Sequence, residues 1–403
     1  MNTPTKLVFV LALFLSIQVN QTTAQVSTKD SLLKTPDLIG GIYDRPYIYQ
    51  LGGNIAIGGY TEVNSNFERE EGVGEGLSFE ARRFNIFIFS SISDRVKLTS
   101  ELEFEHGTEE ISIETALVDV LFHTGLNLRA GLLLAPIARF NVTHDGPLYD
   151  ITDRPLVSTQ IIPGTYWDVG FGFYGALFPT PFDRVTYEIY TINGLGPGVV
   201  GGSGEGTRIP QGKAEGFGED VNSSSAFTGR LGFNPRFGGE VGLSFYTGIY
   251  NIYKQEGERV GDSRRLTILA VDAQYRWKRF YLRGEGALAI LDVQESLHEV
   301  FADKQRGVYA YIGYTLLRRP LFGFPDASLI FVTRYDYIDL NDGKRALTGQ
   351  NIGDSTHRLT TGFSFRPTSD TSIRLSYAHN WIYDQFNNLS RMINIQFGIA
   401  TYF

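Results

Sequence analysis

The stretch Val96–Glu105, VKLTSELEFE, holds two interleaved sets of residues. Val96, Leu98, Ser100, Leu102 and Phe104 make one set; Lys97, Thr99, Glu101, Glu103 and Glu105 make the other. A helix would scatter both sets around its circumference, whereas a strand, with a side-chain period of two, sends each to its own face. One face is then mostly apolar and the other almost wholly charged. The same split recurs in Leu269–Trp277, where Leu269, Val271, Ala273, Tyr275 and Trp277 oppose Ala270, Asp272, Gln274 and Arg276. It recurs again in Leu329–Tyr337, where Leu329, Phe331, Thr333, Tyr335 and Tyr337 oppose Ile330, Arg334 and Asp336. A soluble core cannot accept so many ions without partners. Apolar residues turned to lipid and charged residues turned to a water-filled lumen satisfy both sets.

Outward from Val96–Glu105, alternation marks sixteen segments: 54–67, 77–91, 95–106, 110–122, 127–139, 168–178, 184–194, 225–233, 239–250, 265–277, 279–289, 306–317, 327–338, 357–366, 372–383 and 390–403. Several are long enough to cross a bilayer as tilted strands, which takes about nine to eleven residues. The connections after even-numbered segments are short, as at Ser91–Asp94, His123–Leu126 and Lys278. Those after odd-numbered segments are often long, as at Phe140–Trp167, Leu195–Ser224 and Asp339–Thr356. Short periplasmic turns and long outer loops are the rhythm of bacterial outer-membrane barrels. The fold class predicted is all-β, a transmembrane antiparallel barrel of about sixteen strands. Tyr174, Tyr246, Tyr250, Trp277, Tyr281, Tyr335, Tyr337, Trp381 and Tyr383 are candidates for aromatic girdles at its rims. The alternation of Ile393, Ile395, Phe397, Ile399, Thr401 and Phe403 predicts a closing strand, since an open edge in lipid strands its amides.

The first residues read as a targeting segment. Lys6 precedes the apolar run Leu7–Val19, and small residues stand at Thr22–Ala24, so residues 1–24 are expected to be a signal peptide. Residues 25–52 are expected to be a periplasmic leader and 53–403 the barrel. No later run of eighteen apolar residues offers a membrane helix. Cysteine is absent, so the fold uses neither disulfides nor thiolate metal sites. The net charge of −8 and the lack of a basic stripe speak against a nucleic-acid partner.

The segment Phe140–Trp167, FNVTHDGPLYDITDRPLVSTQIIPGTYW, has little periodicity, yet its prolines, charges and apolar run Leu156–Pro163 argue for order. Folded inward as the third outer loop, it would narrow the pore. Arg139, His144, Asp145, Asp150, Asp153 and Arg154 are the candidate constriction residues; the competing role for these charges, Asp153 and Arg154 above all, is to pin the loop to the wall. Lys97, Glu101, Glu103, Glu105, Arg129, Arg230, Asp272, Arg276, Arg283, Glu285, Arg334, Asp336 and Arg358 are the candidate lumen-lining residues. Arg283 with Asp272, and Arg334 with Glu285, are possible cross-strand pairs. The acids around Glu101–Glu110, with His106, are a possible oxygen-ligand cation site, but a solvated rim is the simpler reading.

The motifs EARRF (80–84), ELEFEHG (101–107), NLRAGLLLAP (127–136) and N-x-T-H-D-G-P…D-R-P…I-I-P (141–163) together resemble the phosphate-selective porin O/P family, in particular its Bacteroidetes-type members. The resemblance covers most of 53–403 and is strongest across 80–195. It implies a trimeric sixteen-stranded porin of the outer membrane, with a third loop that constricts a pore for small ions or solutes, anions such as phosphate among them. The basic residues by which such pores select phosphate have no residue-by-residue match here. The terminal Phe403 resembles the signal read by barrel-assembly machinery.

No H-E-x-x-H, G-x-S-x-G or G-K-[ST] signature is present, and no cofactor or metal is expected. The chain is therefore expected to be a passive pore in outer-membrane lipid and not an enzyme. The alternatives are a barrel hydrolase, for which His144–Asp145 beside Thr143 is a loose match, and a plugged adhesion or scaffold barrel.

Overall fold

The computed structural model describes residues 55–403, except 202–205, 214–219, 221 and 237. The expected signal peptide and leader lie outside the described residues. Sixteen antiparallel strands close into one barrel. The first eight are β1 (Ile55–Glu70), β2 (Val73–Ser91), β3 (Val96–Glu105), β4 (Glu110–His123), β5 (Leu126–Leu134), β6 (Trp167–Leu177), β7 (Arg184–Ile192) and β8 (Ala226–Asn234). The rest are β9 (Glu240–Ile249), β10 (Arg265–Trp277), β11 (Phe280–Leu291), β12 (Lys304–Arg318), β13 (Ser328–Asp339), β14 (Ser355–Thr368), β15 (Thr371–Tyr383) and β16 (Leu389–Tyr402). Each strand pairs with its chain neighbours, and β16 pairs with β1, Tyr402 opposite Tyr60. Beyond that pair, Gly59 and Phe403 exchange N–H···O=C bonds of 3.2 and 3.0 Å. No sheet edge is left for lipid to meet.

The polarity is the reverse of a soluble fold. Leu98-side residues of the ladder look outward, and large apolar side chains such as Phe79, Ile113, Phe171, Leu231, Leu243, Val271, Ile312, Phe363 and Phe397 stand exposed. Glu62, Asn85, Glu101, Arg129, Asp272, Arg334, Asp336 and Arg374 are buried inside. This places the barrel in a membrane, with its short turns on the periplasmic side. Of the proposed girdle residues, Trp277 and Tyr335 are exposed, but Tyr174, Tyr246 and Tyr250 are buried on the lumenal face. They were misplaced because aromatic residues near strand ends serve either face, and only parity tells them apart.

Two boundaries differ from the sequence pattern. β1 and β2 run on to a two-residue turn, Glu71–Gly72, with φ of 45° and 89°. Positive φ at both positions is the type I′ hairpin geometry. The added rungs lie in the charged run Glu68–Glu71, where water takes the place of lipid and apolar alternation stops. β5 ends at Leu134 and not at 139. Pro136 cannot donate to the ladder, and Arg139 instead sits on a short helix, α1 (Ala138–Val142).

Candidate functional site

Residues 135–166, between β5 and β6, are the candidate site. The segment contains α1, a 3-10 turn at Gly146–Leu148 and a second short helix, α2 (Leu156–Gln160). Its ends are stapled by Asn141: Oδ1 accepts the Tyr166 N–H at 2.8 Å, and Nδ2 donates to the carbonyls of Ala135 (2.7 Å) and Tyr166 (3.1 Å). One side chain thereby replaces three bonds of a ladder that Pro136 interrupts.

From this base the segment is bonded to inward-facing side chains on many strands. On β9, Ser244 Oγ accepts the Ala138 N–H at 2.8 Å, and Glu240 accepts from Arg139. On β11, Glu285 takes the Phe140 N–H at 2.6 Å on one oxygen and Ser158 Oγ at 2.8 Å on the other. Asp336 on β13 accepts the Leu156 N–H at 3.0 Å. On β16, Gln396 donates to Asp153 at 2.9 Å and Tyr402 to Asp145 at 2.8 Å. His144 pairs with Glu114 of β4 at 2.9 Å, both fully buried.

Arginines grip the loop's carbonyls as well as its acids. Arg334 donates to the carbonyls of Asp153 (2.7 Å) and Arg154 (3.2 Å), and Arg358 to that of Arg154 at 2.6 Å. Arg366 holds the Asp150 carboxylate at 2.7 Å and the Pro147 carbonyl at 2.9 Å. Arg374 reaches the carbonyls of Gly146 and Ile151 while pairing with Glu62 at 2.7 Å. A guanidinium presents several N–H groups in a fixed fork, so one residue can hold carbonyl and carboxylate together. Burial alone would raise the Asp150 carboxyl; Arg366 and Arg283 outweigh it and hold it below the usual carboxylate range. Burial pushes the Tyr149 hydroxyl up to about 12, with Arg283 opposing.

Apolar contact supplies the rest. Val157, Ile161 and Ile162 are fully buried in a cluster with Ile192, Tyr246, Leu266, Ile268, Ala289, Leu291 and Ile338 of the inner wall. Burial of side chains of this size contributes about 1.5–3 kcal/mol each. The lumen thus contains a hydrophobic core along one wall. There the inner face meets the apolar residues of the loop in place of water.

The remaining sequence candidates divide into fixed and unfixed charges. Arg129 grips Asp119 with bonds of 2.8 and 3.0 Å and lies over Tyr174. Arg230 chelates Asp272 with two bonds of 2.6 and 3.0 Å and reaches Glu240. Arg334 and Arg358 share Asp336. The suggested pairs Arg283–Asp272 and Arg334–Glu285 do not form, since Asp272 is taken by Arg230, Asp336 by Arg334, and Glu285 by the loop. Lys97 lies at the short-turn end, bonded to Ser91 and Ser93.

The acids near Glu101–Glu110 separate between locations. Glu101 and Glu103 accept from Asn85 inside, and Glu105 pairs with Arg83. His106 meets Glu80, while Glu109 and Glu110 are exposed. Among the described residues, no group of three or more His, Cys, Asp or Glu is placed to hold a metal ion.

Arg154, Arg276 and Arg283 differ from the other candidate arginines: among the described residues none of the three has a carboxylate within ion-pair distance. Arg276 and Arg283 line a chamber of about 520 Å³ at the short-turn end, roofed by Arg139–Tyr149 of the loop. Sequence reasoning missed Glu114, Ser244 and Tyr311 as loop partners, and Glu62, which braces the loop-holding Arg374. A lone acid at an inward position of an otherwise uncharged stretch, as Glu62 is in IAIGGYTEV (55–63), was the available signal.

No family model matches the chain. An uncharacterized protein of Aquifex aeolicus (strain VF5) is 25% identical over 362 residues, which span 85% of this chain and 79% of that protein. Among solved structures, the outer membrane channel DcaP of Acinetobacter baumannii superposes with a TM-score of 0.57 at 10% identity, covering 87% of this chain and 97% of that one. OmpF of Salmonella typhi, in complex with daunomycin, gives 0.56 at 12% identity, with 87% and 97% covered. The trimer form of Vibrio cholerae OmpT gives 0.53 at 10% identity, with 87% and 100% covered. At these identities the likeness is one of fold, and the fold is that of sixteen-stranded outer-membrane porins.

Proposed function

We propose that the chain is an outer-membrane porin through which small hydrophilic solutes and ions diffuse passively, with residues 135–166 as its constriction. The observation that carries this reading is the reversed polarity of the closed barrel, apolar outside and ionic inside, with a loop braced across the interior. A wall of ions has no place in a soluble protein core, but it suits an aqueous path. Most inward charges are neutralised in pairs; among the described residues Arg154, Arg276 and Arg283 lack a carboxylate within ion-pair distance, while the buried acids Glu285 and Asp168 are held by N–H and hydroxyl groups and no cation, and this small cationic excess favours a modest preference for anions. The resemblance to the phosphate-selective O/P porins agrees with it, as does the fold shared with a trimeric neighbour, which supports a homotrimer. Residues 1–24 would be the export signal, 25–52 a periplasmic leader, and Phe403 the contact for the assembly machinery.

Conductance of the refolded protein in planar bilayers tests the reading. Discrete, ohmic steps in potassium chloride are expected, with a reversal potential in a salt gradient that marks anions as the faster ions. A tight barrel with no conductance would favour the second reading, a plugged structural barrel. The extensive burial of inward charges beneath the loop is the observation on that side.

A further inference from the structure

The chamber at the periplasmic end carries chemistry that simple diffusion leaves unused. The guanidinium carbons of Arg276 and Arg283 lie 5.1 and 4.4 Å from the ring centroid of Tyr281. In the β10–β11 register Arg276 faces Tyr281 and Gln274 faces Arg283, so the two cations are diagonal neighbours on one wall. Of the acids that line the chamber, Asp272 and Glu285 are already engaged, and Asp370, in the turn before β15, accepts from Ser369 Oγ at 3.0 Å. Both Asp272 oxygens accept from Arg230, and both Glu285 oxygens accept from the loop. Arg283 spends one N–H on the Leu148 carbonyl, and its Nε is buried without an acceptor. Two guanidinium groups beside one ring, neither with a carboxylate within ion-pair distance among the described residues, offer an anion charge-assisted bonds from both.

The walls narrow the choice of anion. Phe140, Tyr149 and Tyr309 face the same space. A volume of about 520 Å³ is in the range that takes small organic ligands. An inorganic ion would leave most of it unfilled and gain nothing from the rings. We propose that the chamber is a binding subsite for small organic carboxylates with a flat, apolar body. The carboxylate sits between Arg276 and Arg283, and the body lies along the aromatic wall. The proposal deepens the porin reading, on which it rests for the solute's route of entry.

Benzoate is the probe, titrated calorimetrically into the full detergent-refolded chain at low salt, with inorganic phosphate and glucose as comparisons. Saturable benzoate binding, tighter than either comparison, is expected. Arg276→Gln should weaken it by about tenfold, the loss of a charge-assisted bond, and Arg276→Lys should retain most of it. Arg283→Gln should weaken it too, but that variant also releases Leu148, so Arg276, whose side chain is exposed in the chamber, decides. Phosphate or glucose binding as tightly as benzoate, or Arg276→Gln binding unchanged, would overturn the subsite. Bilayer currents separate this from the porin reading. A protein that conducts but ignores benzoate overturns the subsite alone; one that binds benzoate but never conducts overturns the pore alone.

Discussion

Asn141 and Tyr166 form a closed pair across the neck of the loop, with Asn141 Oδ1 accepting the Tyr166 N–H at 2.8 Å and Nδ2 donating to its carbonyl at 3.1 Å. The two residues are separated by 25 positions, so this clamp sets where the chain leaves β5 and rejoins β6.

Asn141→Ala should leave the barrel closed while loosening the loop. Unpaired buried amides cost about 1–3 kcal/mol each. The expected outcome is noisier, larger single-channel currents with unchanged resistance of the barrel to detergent. Currents identical to the parent would show that the Asn141 clamp does not hold the loop in place.

Asp150 supplies a pH dependence. Its carboxyl is held below the usual range in the folded protein, so its stabilisation is complete above the unfolded carboxylate value of about 3.9 and is lost as pH falls through the lower folded value. Currents should be steady from neutrality down to about pH 5 and fluctuate only in stronger acid. Asp150→Asn, which leaves Arg366 buried without its partner, should fluctuate already at pH 7 and cost about 3–5 kcal/mol. A parent channel that loosens near pH 6 would contradict the assignment.

Glu285 ties α1 to α2 by accepting from Phe140 and Ser158 at once. Replacing it with Ala frees both helices. Single-channel conductance should rise, and thermal unfolding followed by tryptophan fluorescence should show an early loss before the barrel melts. A single unshifted transition would mean that the apolar contacts suffice alone.

Arg154 offers a selectivity test with little structural burden. Its carbonyl is held by Arg334 and Arg358, which any side chain leaves intact. Arg154→Gln should move the reversal potential in a chloride gradient toward cations, with stability altered little. An unmoved potential would place Arg154 off the conducting path.

Period-two alternation made the strand number, the closure at Phe403 and the sense of the two faces legible, since lipid enforces a strict apolar outer row. Val96–Glu105 alone carried most of that information. The internal core was less visible, though its trace was there. Leu266–Val271, LTILAV, is apolar at both parities, as a strand buried on both faces must be. It packs in one cluster with Val157, Ile161 and Ile162 of the loop. What the sequence could not convey was pairing choice. Arg283 and Arg230 both lie within cross-strand reach of Asp272, but only the two-bond geometry of Arg230 claims it.

The cluster that seats Val157, Ile161 and Ile162 has a thermal consequence. Release of the loop would expose those side chains to lumenal water and not to lipid, so it should carry the positive heat-capacity change of aqueous apolar exposure, unlike the lipid-facing belt. Such contacts weaken on cooling. The seat should therefore hold best near ambient temperature and slacken toward freezing, which makes the bore of this barrel a cold-sensitive dimension.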